Sequence, residues 1–253
     1  MTPRSIRSLF AALAAACVGL TAMAPARAAE TTIAVAANFT GPARALGDQF
    51  ARATGHTAVF SSGATGQLYA QISQGAPFDV FLAADAARPA RAIEEGLAVP
   101  GSRFTYATGR LVLYSADPAR VRGAETLRGD FRRLAIANPA TAPYGAAALE
   151  ALDALGLRAA VAGRIVQGAN IAQTYQFVAT GNADLGFVAL AQVIDRDGGS
   201  RWLVPEGLHR PIAQDAVLLS HGADNPAARA FLDYLRGPQA RATIEKFGYG
   251  TGP

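Results

Sequence analysis

Four short segments of this chain share a chemical character: Ala37-Asn38-Phe39-Thr40, Ser61 to Gly66, Asn138 to Gly145, and Gly168 to Gln173. Each follows a β-type run and precedes residues at helical spacing, and each is built of small or neutral polar residues. A helix start leaves its first backbone N–H groups unpaired, and the helix dipole puts partial positive charge there, so such turns suit an anion. Ser61 to Gly66, inside Val59 to Leu68, holds no Lys, no His and no acid. The donors would be backbone amides, the Thr65 hydroxyl and the Asn38 amide. Neutral donors can hold a doubly charged anion, because burial strengthens each charge-assisted hydrogen bond. Any one of these turns is equally a helix cap or a loop, since Ser, Thr and Asn are favoured N-caps and Gly is common in turns. Four along one edge point further, to two turns from each of two lobes enclosing a small ligand.

The residues that usually carry catalysis are sparse. His56, His209 and His221 are the three histidines, and they lack metal-ligand spacing. No G-x-S-x-G elbow occurs, and Gly63 to Gly66 lacks the Lys of a phosphate loop. An enzyme, such as a secreted hydrolase using Ser62, is the weaker alternative; Ser61 and Ser62 fit better as supports of their turn. His56, next to Gly55, is expected in a solvated loop. Tyr175, Phe177 and Phe187 are expected to pack in the core rather than form a stacking platform.

The elements that position the four turns alternate between strand and helix. Thr31 to Ala36 is a strand, then Ala43, Leu46 and Phe50 fall at helical spacing up to Gly55. Thr57 to Phe60 leads to a helix over Gln67 to Ser73, and Asp79 to Ala83 to a helix over Ala90 to Glu95. This β-α-β-α-β order implies a mainly parallel sheet covered by helices, and right-handed crossovers place the strand-to-helix turns along one edge. A second such block has strands at Leu134 to Ala137, Arg164 to Gln167 and Ala183 to Val188. Its helices run from Tyr144 through Leu155 and from Ile171 to Ala179. Arg110 to Tyr114 is a strong strand between the blocks, and Ala216 to Leu219 is a later one. Helices from Pro226 to Leu235 and Pro238 to Phe247 close the chain and are expected to return to the first lobe. Extended crossings near 105–112 and 210–216 suggest two lobes joined by two hinge strands, with lobe I at 29–108 and 214–253 and lobe II at 109–213.

The chain has 253 residues, 51% hydrophobic and 17% charged, which suits one large domain or two lobes of roughly 100 residues. The formal charge is +4, and Arg4, Arg7 and Arg27 supply three of those charges in a leading segment without acids. No basic stripe follows, so nucleic acid is not an expected partner. Residues 1–28 read as a signal peptide: Arg4 and Arg7, an apolar Leu9 to Met23 too short for a membrane anchor, and Ala26-Arg27-Ala28 as the cleavage site. The mature protein would be exported and begin near Ala29. Cys17 is the one cysteine, within Leu13-Ala14-Ala15-Ala16-Cys17, a weak lipoprotein-type site. Its removal leaves no disulfide, thiolate nucleophile or Cys-ligated metal.

Several motifs carry a family resemblance. Ala36-Ala37-Asn38-Phe39, Ser61-Ser62-Gly63-Ala64-Thr65-Gly66, Gln74 to Phe81, Ala83-Ala84-Asp85, Ala137-Asn138-Pro139 with Ala142-Pro143-Tyr144-Gly145, and Ala183 to Leu190 resemble the periplasmic molybdate-binding proteins of ABC transporters, in that family's order and spacing, from about Thr32 to Tyr249. The resemblance implies a type II periplasmic-binding-protein fold whose lobes close on one tetrahedral oxyanion, held by hydrogen bonds without direct metal ligands. It places Ala37, Asn38 and Thr65 at the ligand from one lobe, and the backbone N–H groups of Tyr144 and Ile171 from the other. It implies the subgroup with Asn in the first ligand turn. Ala189 stands where some members have a ligand-binding Tyr. The implied partners are a membrane permease and its ATPase, the ligands molybdate or tungstate, and the receptor a monomer with no cofactor and no catalysis.

The uncharged turns fit that ligand chemistry. Molybdate, tungstate and sulfate are fully ionised near neutral pH and need donors only. Monohydrogen phosphate keeps a proton that needs an acceptor, and the nearest acid to the four turns is Asp85. Another oxyanion such as sulfate is the alternative ligand.

Overall fold

The computed structural model describes residues 28–251. Residues 1–27, with Cys17 and the expected leader, lie outside the described residues. The chain begins with β1 (Glu30–Ala36), a 3-10 turn (Ala37–Phe39), α1 (Thr40–Thr54), β2 (Thr57–Gly63), α2 (Thr65–Ser73), β3 (Val80–Leu82) and α3 (Ala87–Glu94). It continues through β4 (Phe104–Gly109), β5 (Leu111–Ser115), β6 (Leu134–Ala137), α4 (Pro143–Ala154), α5 (Arg158–Val161), β7 (Ile165–Gly168), α6 (Ile171–Ala179) and β8 (Leu185–Ala189). The last elements are β9 (Ser200–Leu203), β10 (Ile212–Leu218), α7 (Pro226–Arg236) and α8 (Pro238–Lys246).

These elements form two five-stranded sheets with the same plan, β2-β1-β3-β10-β4 and β7-β6-β8-β5-β9. In each, three neighbouring strands run parallel and the fourth in order is antiparallel to both its neighbours. The antiparallel strand is the one that enters across the junction between the lobes: β10 in the first sheet and β5 in the second. The expected single crossing near residues 105–112 is two strands in different sheets, with Arg110 between them. The chain passes back between β9 and β10.

Helices cover both faces of the first sheet. Phe39, Phe50 and Phe231 are fully buried on one face with Ile33, Val35 and the C-terminal helices. The Phe50 and Phe231 rings meet edge to face at 5.3 Å, and truncating either to Ala would cost about 3–5 kcal/mol. The other face buries Leu68, Ile72 and Phe81. In the second sheet, Leu111, Leu113, Ile136, Leu152 and Phe187 form one core, and Val112, Tyr175 and Val178 the other. Tyr175 and Phe187 are core residues, as their spacing suggests.

Two expectations fail. β2 runs on to Gly63, because Ser61 and Ser62 pair along β1 in a continuous parallel register. His56 is buried rather than solvated: its Nδ1 accepts the Ala29 N–H at 3.1 Å and its ring lies 6.1 Å from that of Phe50. Among the described residues no helix is long and apolar enough to cross a membrane.

Candidate functional site

The four turns meet. Parallel strands carry their C-terminal ends to one edge of each sheet, and the two edges face each other across a cleft. Its walls are Ala36, Ala37 and Asn38, Gly63, Ala64 and Thr65, and Ala84 from the first lobe, with Ala142, Pro143, Tyr144, Asn170 and Ile171 from the second. The space between these walls is small, about 10 Å³ for the centre of a water-sized sphere. None of these residues is charged.

The helices start here for local reasons. α4 has Pro143 at its first position, where a missing N–H costs nothing. The Asn170 side chain caps α6 by accepting the Gln173 N–H at 3.0 Å, and Gln173 in turn accepts the Ala169 N–H at 2.6 Å. In the first lobe, Ser62 bonds Thr40 at 2.8 Å and Thr40 donates to the Ala37 carbonyl at 3.0 Å, so Ser62 braces the first turn. Gln192 accepts the Ala189 N–H at 3.0 Å and donates to the Ile171 carbonyl at 3.1 Å, which ties the end of β8 to the start of α6. Ala189 is fully buried and offers no hydroxyl.

Ala37, Asn38, Thr65, Tyr144 and Ile171 are all buried. None of their backbone N–H groups donates to another described residue in the turn, cap and loop bonding of the chain. Buried amides are rarely left unpaired, and these five residues bring backbone donors to one small space where an acceptor would complete them. The Thr65 hydroxyl oxygen accepts the Ala84 N–H at 3.1 Å, which leaves its own proton for the cleft. Thus Ala84, not singled out from sequence, orients the hydroxyl.

Asn38 departs from expectation. Its Nδ2 donates to Gln214 Oε1 at 2.9 Å and to the Tyr249 hydroxyl at 3.1 Å, so the amide faces into the protein. The Tyr249 hydroxyl donates to the Asn38 carbonyl at 2.7 Å. With its amide engaged, Asn38 has only its backbone N–H left as a donor for the cleft. Behind it, Gln214 Oε1 also accepts the Tyr106 hydroxyl at 3.2 Å, and Gln214 Nε2 donates to the Tyr144 hydroxyl at 3.3 Å. Burial pushes the Tyr106, Tyr144 and Tyr249 hydroxyls well above the ordinary tyrosine range, so they stay neutral. A hint of this network was present in the sequence: Gln214-Asp215 is a polar pair inside an otherwise apolar strand.

Asp85 is not an acceptor for the cleft. Its Oδ1 takes the Arg88 N–H at 2.9 Å, and its Oδ2 pairs with the Arg88 guanidinium. Arg88 also donates to the Ala140 carbonyl of the other lobe at 3.1 Å. Among the described residues no cluster of His, Cys, Asp and Glu could hold a metal ion.

A two-lobed α/β chain with an uncharged cleft between its lobes has the plan of a solute-binding receptor. Comparison with known proteins agrees: residues 31–250 match the model of the bacterial extracellular solute-binding proteins, and the chain belongs to that family. Molybdate-binding protein ModA of Rhodobacter capsulatus is 56% identical over 229 residues, 90% of each chain. ModA of Azotobacter vinelandii is 54% identical over 251 residues, 97% of this chain and 98% of the relative. The solved periplasmic molybdate-binding protein of Azotobacter vinelandii superposes with a TM-score of 0.86 at 43% identity, covering 88% of this chain and all of that one.

Proposed function

We propose that this protein captures molybdate between its lobes and delivers it to the permease of an ABC importer. One observation carries the chemistry: unpaired amides from both lobes, plus the Thr65 hydroxyl, converge on one cleft with no free carboxylate. Such a site satisfies an anion that needs only donors. It penalises monohydrogen phosphate, whose proton would find no acceptor. The named relatives, alike along nearly their whole length, supply the particular anion.

The ligand contacts in this reading are the N–H groups of Ala37, Asn38, Tyr144 and Ile171 with the N–H and hydroxyl of Thr65. Asn38 supports a place in the subgroup with Asn in the first ligand turn, the contact being made by its backbone rather than its amide. Tungstate, with the same charge and shape, binds as well. The ligand touches both lobes only when they are shut, so it stabilises the closed form by its differential affinity. The closed form then docks on the permease, whose ATPase supplies the energy. The protein acts in the periplasm as a monomer and catalyses no reaction.

Calorimetric titration with molybdate, tungstate, sulfate and phosphate tests this. Tight binding of the first two, weak binding of sulfate and none of phosphate is expected. Binding of none of the four, or of phosphate alone, would overturn the reading.

A further inference from the structure

Donor turns from the two lobes are joined by one side chain. Gln214 is fully buried on β10, the strand that returns across the junction. It holds Asn38 of the first lobe through Oε1 at 2.9 Å and Tyr144 of the second through Nε2 at 3.3 Å. Both residues line the cleft, and in the proposed site each supplies a backbone N–H. The placement is built in. The β10–β4 register shifts between Gln214 and Asp215, which stand opposite Ala107 and Thr105, so Tyr106 is an extra residue on β4. A bulge of this kind re-aims side chains, and here the Tyr106 hydroxyl meets the same amide oxygen at 3.2 Å. The opposite wall is Gly109 at the end of β4. A Cβ there would overlap the Tyr144 hydroxyl oxygen and stand 2.6 Å from Gln214 Nε2.

We propose that Gln214 is a positioning residue that fixes how far the lobes close, and so selects the size of the tetrahedral oxyanion. This rests on the molybdate reading of the cleft. An amide bonded at both ends sets a fixed separation between the Asn38 and Tyr144 donors. An anion matching that separation pairs with both lobes. A smaller one, such as sulfate, reaches one set of donors and leaves the other unpaired, and unpaired buried donors are what give a polar site its discrimination. Without the tie the lobes settle on whichever anion is present.

The test is the ratio of sulfate to molybdate dissociation constants, with sulfate measured by competition, for wild type, Gln214→Leu, Tyr144→Phe and the double variant. Tyr144→Phe is the milder change, because it removes the same bond and keeps the backbone donor. Each single variant should lower the ratio about tenfold, the scale of one lost buried hydrogen bond, and the double variant should lower it no further. Equal weakening of both anions, with the ratio unmoved, would show a merely structural role and overturn the inference. Independent, additive effects would overturn it too. A wild-type protein that binds neither anion would sink the molybdate reading, and this inference with it.

Discussion

Gly66 on the first lobe donates its backbone N–H to the carbonyl oxygen of Thr141 on the second, at 2.8 Å. The contact is backbone to backbone and needs a residue without a side chain. A Cβ at Gly66 would stand 3.0 Å from the Thr141 Cα and 3.0 Å from the Arg88 guanidinium. Gly66→Ala should therefore weaken closure without harming either lobe. Because Ala is the better helix former in the first turn of α2, the unliganded protein should keep or slightly raise its melting temperature, by up to about 1 kcal/mol in stability. Molybdate affinity should fall about tenfold, for a lost or strained buried hydrogen bond. Calorimetry beside a melting curve separates the two effects, and unchanged affinity would show that this contact does not limit closure.

In the proposed site Thr65 has two duties: its hydroxyl oxygen accepts from Ala84, and its proton is donated to the ligand. Thr65→Val should cost about 1–3 kcal/mol of binding, because it leaves a ligand oxygen unpaired. It should also lower the stability of the unliganded protein, since the Ala84 N–H loses its acceptor. Thr65→Ser should restore both. If the Val variant binds molybdate as well as wild type, Thr65 serves only its own lobe.

The buried tyrosines predict alkaline sensitivity. Tyr106, Tyr144 and Tyr249 are raised in the folded state, chiefly by burial, whereas an unfolded chain ionises tyrosine near pH 10. The folded state therefore holds more protons above about pH 10, so stability present below that value is lost as pH rises through it. Denaturation midpoints should fall steeply there, and less steeply in Tyr249→Phe. Below it none of the three titrates, so molybdate affinity should be flat from about pH 6 to 9. A sloping profile would point to an ionisable group at the cleft.

Acid acts elsewhere. The Asp184 carboxylate is opposed by partial burial but held below the ordinary range by Arg132, with further bonds from the Arg132 N–H at 2.6 Å and the Arg133 N–H at 3.3 Å. A depressed carboxyl contributes stability that is present above its unfolded value, about 3.9, and is lost as pH falls through the folded one. Asp184→Asn should melt lower than wild type at neutral pH, with the gap shrinking in acid. A gap independent of pH would mean that the charge is immaterial.

The four turns were legible in the sequence because each sits between an apolar run and a helical pattern. That local signal located the turns and the Thr65 hydroxyl; the family resemblance singled out Ala37, Tyr144 and Ile171 within them, and all four residues line the cleft. What was not legible depends on partners far along the chain. Ser61 and Ser62 are weak strand formers drawn into β2 by β1. The β4 and β9 strands are mixed in character, and are held by pairing with β10 and β5. The inward turn of the Asn38 amide was hidden for the same reason: its acceptor, Gln214, is 176 residues away. His56 looked solvated beside Gly55, and only the packing of Phe50 and Ala29 closes over it.

The shared strand order has a consequence for folding. In the second sheet every strand lies between Leu111 and Leu203, so that lobe can assemble as soon as its own segment exists. In the first sheet, β3 and β4 are joined only through β10, which begins at Ile212. A chain emerging from its N-terminus holds a split sheet, with β3 and β4 each lacking a neighbour, until nearly all of it has appeared. Long-range strand pairing is slow, and an unpaired edge is prone to association. The first-lobe edges of β3 and β4 are therefore where this receptor most needs protection while it is still incomplete.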